Sequence, residues 1–230
     1  MLRVEFHCHT VYSKDSLTSP ERLLEACRRK GIDRVIVTDH NSTAGARRAK
    51  ELDPQRVIIG EEIMTRAGEL LAAFVQEELP AGLPPLEAIR LLREQGAFIS
   101  VSHPFDHLRS GSWKPEALLE IAPHVDAIET FNARCLSPAF NRRAQAFARE
   151  HNLPGTVGSD AHAPSELGQA TLLLPEFSDA GSLRAVLPLA QPRLRLSGPW
   201  VHFYSRYAVW RKKRGSGLTG TAPGSPNRTR

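Results

Sequence analysis

The stretch DRVIVTDHN, Asp33 to Asn41, points most directly to the fold. Its apolar run shows no alternation of apolar and polar residues, which predicts a strand that is buried on both faces. The preceding segment predicts a helix, with Ser19 as its N-cap, Pro20 as its first residue and Gly31 as its end. A doubly buried strand that follows a capped helix is typical of an α/β protein.

The same rhythm continues outward from this stretch. Strands are predicted in VEF (Val4 to Phe6, the end of a short strand), RVIIGEEIMT, ELLAAFVQ, AFISVSHP, VDAIETFN and GTVGSDAH. Helices are predicted in residues 42–52 and in PLEAIRLLREQG, KPEALLEI and PAFNRRAQAFAREHN. Alternation of this kind, repeated about six or seven times, predicts a parallel sheet covered by helices, either open or closed into a barrel.

Length and composition limit the possible classes of protein. The 230 residues suit one large α/β domain, alone or with a tail, and the hydrophobic fraction of 41% is typical of a globular core. No apolar run is long enough to cross a bilayer, and the first residues do not resemble a secretory signal. Three scattered cysteines do not form a disulfide framework, so we expect a cytoplasmic location.

The C-terminal region differs from the rest of the chain. Residues 203–230 carry seven Lys or Arg and no acid, and subtracting them from the net charge of +5 leaves residues 1–202 at about −2. We therefore divide the chain into a domain, 1–196, and a basic tail, 197–230, in which residues 215–230 are predicted to be disordered. The aromatic and basic segment HFYSRYAVWRKKR could touch an anionic membrane or nucleic acid, although we favour a terminal helix with its aromatics packed on the barrel.

Polar residues cluster where the predicted strands end. His7 and His9 share one face of their strand because side chains alternate, and Asp160 and His162 have the same spacing. His40 and His103 also follow strands, and Glu62 lies in the GEE segment. In parallel α/β folds, the carboxyl ends of the strands form the edge where active sites are built.

These residue types indicate metal chemistry. Imidazole and carboxylate together suit zinc, manganese or iron rather than calcium. The candidates outnumber the ligands that one ion can use, which favours several ions bridged by a carboxylate and a hydroxide. Asp15, in the loop after the first strand, is either a further ligand or an ordinary turn residue.

The motifs HCHT, TDHN, GEE, SHP and GSDAH, in this order, resemble the PHP family, the polymerase and histidinol phosphatase superfamily. The resemblance covers residues 2–175. It implies a distorted (β/α)7 barrel that holds two or three metal ions at its carboxyl rim. Members of the family are mostly phosphoesterases.

The resemblance also implies a ligand set. The positions that match the family's metal ligands are His7, His9, Glu62 and Asp160 for the first ion, His103 for the second, and Asp15, His40 and His162 for the third. Many relatives have a histidine where this chain has Asp15. Glu69 is our candidate for a further ligand of the second ion, with Asn132 and His124 as alternatives.

We therefore predict a metal-dependent phosphoesterase that acts on a small phosphorylated metabolite or nucleotide. Arg134 is predicted to bind the substrate phosphate and His107 to protonate the leaving group, whereas Arg109 is interpreted as a solvated loop charge. The alternatives are a hydrolase of C–N bonds and a non-catalytic metal-binding module with a protein partner. A nucleic-acid substrate fits the chemistry, but the near-neutral barrel does not indicate one.

Overall fold

The computed structural model describes residues 1–216, and strands and helices alternate along most of that range. The strands are β1 (Leu2–Glu5), β2 (Arg34–Val37), β3 (Val57–Met64), β4 (Glu69–Ala73), β5 (Phe98–Val101), β6 (Ala127–Asn132), β7 (Gly155–Gly158), β8 (Ala170–Leu174) and β9 (Gln191–Leu194). The α-helices are α1 (Pro20–Lys30), α2 (Ala44–Leu52), α3 (Pro85–Glu94), α4 (Pro115–Ile121), α5 (Pro138–Glu150), α6 (Ala180–Val186) and α7 (Val201–Ser216). The disorder predicted for residues 215–230 falls almost entirely outside the described residues, and the division at residue 196 stays a prediction.

The strands form one sheet that curls into a nearly closed barrel. Their order is β7-β6-β5-β4-β3-β2-β1-β8-β9. Strands β1, β2 and β3 pair in parallel, and so do β5, β6 and β7. Just beyond β1 and β7 the chain forms a parallel bridge between Cys8 and Ala161, which brings the two ends of the curl together. This arrangement confirms the predicted distorted (β/α)7 barrel.

Strand β4 departs from the parallel sheet that the sequence predicts. It pairs antiparallel with both β3 and β5. Only residues 65–68 connect β3 to β4, whereas a parallel crossover needs roughly a dozen residues or more. Because β4 runs in the opposite direction, its first residue, Glu69, lies at the same rim as the carboxyl ends of the parallel strands.

The stretch from which the fold was predicted is buried on both faces, as expected. Val35 and Val37 are fully buried in a cluster with Leu23 of α1. Ile36 points the other way and belongs to a cluster with Phe98 of β5. Strand β2 therefore packs against helices on one face and against other strands of the barrel on the other.

Helix α1 begins and ends where the sequence predicts. Ser19 accepts a hydrogen bond from Arg22 N (3.4 Å), and Pro20 is the first helical residue. Gly31 ends the helix with a φ of 64°, a left-handed conformation that glycine adopts without strain. These caps set the point from which the chain enters β2.

The C-terminal part of the structure differs from the prediction in two ways. Strands β8 and β9 had no predicted counterpart; β8 pairs antiparallel with β1 and with β9. The favoured interpretation of α7, with its aromatics packed on the barrel, is wrong. Phe203, Tyr204, Tyr207 and Trp210 are exposed, and Ala208 is buried instead.

Candidate metal centre

The predicted ligands converge at one rim of the barrel. Most lie just beyond the carboxyl end of a strand. The exceptions are Glu62, which lies within β3 two residues before its end, Glu69, which begins β4, and Asp15, which lies in the loop after β1. They are His7, His9, Asp15, His40, Glu62, Glu69, His103, Asp160 and His162. The parallel bridge between His40 and Glu62 extends the pairing of β2 with β3 to this rim, and Asp160 adopts a left-handed φ of 51°.

Four of these side chains form the first group. The Nε2 atoms of His7 and His9 lie 3.1 Å apart. Glu62 Oε2 is 3.3 Å from His7 Nε2 and 3.4 Å from His9 Nε2. Asp160 Oδ1 is 3.3 Å from His9 Nε2 and 3.7 Å from His7 Nε2. The four donors thus face one another, as the resemblance implied for the first ion.

Glu62 belongs to a second group as well. Its other oxygen, Oε1, lies 3.3 Å from His103 Nε2, and Glu69 Oε2 lies 3.4 Å from the same nitrogen. Ser102 Oγ donates a hydrogen bond to Glu62 Oε1 (2.7 Å), which fixes the orientation of the carboxylate. One carboxylate therefore presents one oxygen to each of two groups of donors, the arrangement expected of a bridging ligand.

The third group surrounds Asp15. Its Oδ2 atom lies 3.2 Å from His162 Nε2 and 3.5 Å from His40 Nε2. The Nδ1 atom of His40 faces Glu62 Oε2 at 3.0 Å, so this group adjoins the first. Of the two interpretations of Asp15, the position of its carboxylate favours a ligand over a turn residue.

The two histidines of the first group have pKa values that are shifted in opposite directions. Burial lowers the pKa of His9 to about 4, and the neighbouring His162 and His40 act in the same direction. Burial opposes the charged form of His7, but Glu62 and Asp160 hold its pKa well above the ordinary value. Without a metal ion, the carboxylates are balanced by protons on part of the histidines.

Such a cluster fits divalent cations. Asp15 Oδ1 and His103 Nδ1 are buried without a hydrogen-bond partner. Buried polar atoms are rarely left in this state unless a ligand completes them. Within residues 1–216, three sets of residues each bring their ligand atoms within 4.8 Å of one another. They are His7–His9–Glu62, His9–His40–His162 and His40–Glu62–Glu69. Imidazole and carboxylate donors are those that zinc, manganese and iron prefer.

Other side chains hold the far ring nitrogens of these histidines. Glu129 Oε1 lies 3.0 Å from His7 Nδ1, and Ser13 Oγ lies 3.2 Å from His9 Nδ1. Ser13 in turn donates a hydrogen bond to Asp39 Oδ1 (2.6 Å). Asp39 thus orients a ligand histidine through Ser13. Contacts of this kind fix the tautomer and the direction of a metal-binding imidazole.

Sequence reasoning missed two of the buried acids. Glu129 accepts from His103 N (2.9 Å) in addition to contacting His7, so it supports two of the groups. Glu5 is fully buried and accepts hydrogen bonds from Ser159 N and Oγ beneath Asp160. The available signal was an acid inside an apolar strand, in RVEF and in AIETF.

The structure does not bring every predicted residue to the centre. Asn132 donates to Glu129 and to Asp160 (both 3.1 Å), so it holds ligands in place. His124 is exposed in a 3₁₀ turn before β6, at the opposite end of that strand. His107 is exposed and packs its ring on Phe140, away from the cavity described below. Of the three candidates for the second ion, only Glu69 lies beside His103.

A cavity of about 560 Å³ opens above the centre, and three cations line it. Arg109 pairs with Asp160 and with Asp106 (3.1 Å), so its interpretation as a solvated loop charge is wrong. Lys14 also lines the cavity. Arg134 is buried there and donates to Val201 O and Ser205 Oγ of α7 (both 2.8 Å). The cavity therefore has the candidate metal ligands at its floor and cationic side chains on its wall.

Comparison with known proteins identifies the family. A model described as the PHP domain matches residues 5–109, and one described as PHP-associated matches residues 138–187. An uncharacterized protein of Methanocaldococcus jannaschii is 38% identical over 181 residues, which cover 77% of this chain and 72% of that protein. A second uncharacterized protein of that organism is 33% identical over 145 residues, covering 57% of this chain and 82% of its own.

Solved structures share the fold. PsfC from Pseudomonas syringae superposes with a TM-score of 0.65 at 18% identity, covering 93% of this chain and all (100%) of its own. A protein of Bifidobacterium adolescentis, provisionally assigned as a metal-dependent phosphoesterase, superposes with a TM-score of 0.59 at 19% identity. The match covers 80% of this chain and 95% of that protein. An amidohydrolase of Chromobacterium violaceum superposes with a TM-score of 0.55 at 15% identity, and the match covers 75% of this chain and 92% of that protein.

At such identities these structures support the barrel alone, whereas the sequence matches assign the family. The family and the His and carboxylate cluster together support a metal-dependent hydrolase. None of the helices in residues 1–216 is long and apolar enough to cross a membrane. With the domain match over residues 5–109 and a relative that is 38% identical over 77% of this chain, the chain belongs to the PHP family.

Proposed function

We propose that this protein is a metal-dependent phosphoesterase that uses two or three Mn, Fe or Zn ions. The observation that carries the proposal is the position of Glu62, whose two oxygens face separate groups of histidines beneath a cavity lined by cations. A bridging carboxylate can bind two neighbouring metal ions at once. Cationic side chains beside it can bind an anionic substrate.

The predicted ligands are assigned to three metal ions, and other side chains orient them. His7, His9, Glu62 and Asp160 would hold one ion, His103 and Glu69 would join Glu62 at a second, and Asp15, His40 and His162 would hold a third. When bound, such ions supply a hydroxide nucleophile at neutral pH and neutralise charge on phosphate oxygens. Glu129 and the Ser13–Asp39 pair keep the imidazoles oriented.

The cavity wall supports an anionic substrate. Lys14 and Arg109 line the cavity, Arg109 while paired with Asp160 and Asp106. Arg134 lies beside them with a guanidinium held by α7 and by Glu166 (3.4 Å). Planar guanidinium donors match phosphate oxygens, which favours phosphate esters over neutral substrates. Arg134 keeps its proposed role in phosphate binding, whereas the position of His107 does not support a role in proton transfer.

The size of the cavity suits a small phosphorylated metabolite or a nucleotide. Hydrolysis of a C–N bond is the second candidate, because one structural neighbour is an amidohydrolase and the same hydroxide could attack an amide. The cations on the cavity wall favour the phosphate ester. A cytoplasmic location stays a prediction.

Metal analysis and a substrate screen on one preparation test the proposal. Purified protein should carry two or three divalent ions per chain, lose activity with a chelator and regain it with Mn, Fe or Zn. It should hydrolyse generic phosphate monoesters or diesters but not matched amides. Metal-replete protein that cleaves only amides would establish the second candidate, and one that cleaves neither would contradict both.

A pair of adjacent acids provides matched variants. Glu62→Gln keeps the shape of the bridging residue but removes its charge, so both metal content and hydrolysis should fall strongly. Glu61→Gln makes the same change one position earlier, on the opposite face of β3, where the side chain accepts from Leu79 N (3.1 Å). It should retain metal and activity, and an equal loss in both variants would show that the change acts through the strand rather than the centre.

A further inference from the structure

The outward side of α7 carries a continuous row of aromatic side chains. This aromatic face consists of Trp200, just before the helix, and Phe203, Tyr204, Tyr207 and Trp210. Steps of three and four residues place them on one side of a helix. Their exposed fractions range from 48% for Trp210 to 75% for Trp200.

The opposite side of α7 is fixed to the barrel, so the aromatic face cannot be turned inward without breaking these contacts. Ala208 is buried, and Ser205 Oγ accepts from Arg134 Nη2 (2.8 Å). Lys212 Nζ donates to Val11 O (2.6 Å) and to Ser13 O. Surface helices usually bury their apolar side, whereas this helix buries small and polar residues and exposes aromatic ones.

The same helix is strongly cationic. Residues 201–216 contain five Lys or Arg and no acid. Arg206, Arg211, Lys213 and Arg214 are exposed, and the guanidinium of Arg214 lies 4.2 Å from the ring centre of Trp210. Arg211 and Arg214 follow Tyr207 by four and seven residues, so they extend the aromatic face. The surface therefore offers apolar area and positive charge together.

We propose that the aromatic face of α7 docks on the surface of an anionic lipid bilayer. Tyr and Trp rings are suited to the interface between lipid headgroups and acyl chains, and Lys and Arg attract anionic lipids to a helix lying in that plane. Sixteen residues span roughly 24 Å, and no described helix could cross the bilayer, so α7 would lie on the surface.

Two observations favour a bilayer over single-stranded nucleic acid. Nucleic acid usually follows a groove whose aromatics stack separately on successive bases. Here the face is the convex side of a helix, and its rings pair with one another: Trp200 with Phe203 and Tyr207 with Trp210, each pair 5.7 Å between ring centres. The inference does not depend on the proposed activity. Because His202 and Ser205 of α7 line the cavity, docking would bring the cavity close to the bilayer.

Vesicle sedimentation with native tryptophan fluorescence tests the proposal. The full chain should sediment with phosphatidylglycerol-containing vesicles, much less with pure phosphatidylcholine, and less as salt is raised. Its emission should shift to the blue, because two of the three tryptophans, Trp200 and Trp210, lie on the aromatic face and the third, Trp113, is already buried. A nitroxide-labelled lipid should quench the shifted emission. Sedimentation without any shift would place another surface on the vesicle and overturn the proposal.

Matched charge variants locate the contact. Arg206→Gln with Arg211→Gln should lower the partition coefficient roughly tenfold or more, since each cation near an anionic surface contributes about 1 kcal/mol. Arg22→Gln with Arg29→Gln removes two exposed cations from α1 and should change binding little. Equal losses in the two pairs would overturn the proposal, as would binding to oligonucleotides or dimerisation through α7 without vesicle binding. Helix content from circular dichroism shows that the variants stay folded.

Discussion

The two ends of the barrel treat buried charge differently. At the amino end, Asp126 accepts from Arg93 Nη1 and Ile99 N (both 2.8 Å) and from Arg184 Nε (2.9 Å). At the carboxyl end, histidine nitrogens and carboxylate oxygens crowd together, and the buried Asp15 Oδ1 and His103 Nδ1 have no hydrogen-bond partner. One end is a completed network of donors and acceptors, and the other is a cluster of imidazoles and carboxylates in which some buried atoms have no partner and which a cation would complete.

This difference separates structural charge from functional charge. A satisfied ion pair stabilises the fold and gains nothing from a ligand, whereas buried acceptors that face one another cost free energy until a cation binds. Substitutions at the two ends should therefore have opposite signatures. Those at the carboxyl end should affect metal binding and activity, and those at the amino end should affect the free energy of unfolding.

The largest effect is expected at the first group. Replacing His7 and His9 together with alanine should remove the first ion and lower kcat/KM by roughly a thousandfold or more, because metal ions contribute several kcal/mol to hydrolysis. Metal content by mass spectrometry and phosphate release measure the two effects. The far-UV spectrum should match the wild type, because neither side chain is needed to form the barrel. A variant that keeps full metal content and activity would remove these histidines from the proposed centre.

Glu129 should give the next largest effect. Glu129→Gln weakens the support of His7 Nδ1 without removing a proposed ligand, so metal affinity should fall roughly tenfold to a hundredfold. Competition with a chelator of known affinity measures the change, and excess metal should restore much of the activity. Loss of activity that excess metal does not restore would contradict a positioning role.

The sequence predicts those features that are determined by residues close together in the chain. The spacing of His7 and His9, and of Asp160 and His162, places each pair on one side of an extended segment, so adjacent residues suffice. The capped helix before β2 was predicted for the same reason. These are consequences of backbone geometry within a few residues.

The features that were missed depend on distant packing. Glu129 supports His7 across 122 positions in the chain, which no local pattern encodes. The short connection before Glu69 reversed β4, and only the assembled sheet shows that this places Glu69 at the rim. The aromatics of α7 were expected to be buried because burial is their common state. The contacts of two helix residues, Ser205 with Arg134 and Lys212 with Val11 O, fix the opposite orientation.

A smaller effect, on stability alone, is expected at the amino end. Asp126→Ala leaves two arginines without their carboxylate and should lower the free energy of unfolding by about 2 kcal/mol, a figure reduced for the partial exposure of both arginines. Urea titration measures it. Glu94→Gln, which breaks the exposed pair with Arg90, should change stability by less than about 0.5 kcal/mol. Reduced metal content in Asp126→Ala protein at permissive temperature would contradict the separation of the two ends.

Glu61 tests the same distinction within one strand. It is as buried as Glu62, but no cation within residues 1–216 contributes to its pKa. Burial raises that pKa to about 8, with Glu78 adding to the effect. The folded state therefore favours the protonated acid, whereas the unfolded chain ionises near the ordinary value. Stability from this group is fully present below that ordinary pKa and is lost as the pH rises toward 8.

Glu61→Gln, which resembles the protonated acid, should remove this loss. Between pH 6 and pH 8 the wild type should lose about 1 kcal/mol of unfolding free energy per pH unit relative to the variant. Urea titrations of both proteins at several pH values, with chelator present, measure the difference. Parallel pH profiles would mean that Glu61 ionises in the folded protein without a cost in stability. The two faces of β3, one carrying Glu61 and the other Glu62, would then not differ in how they hold a buried acid.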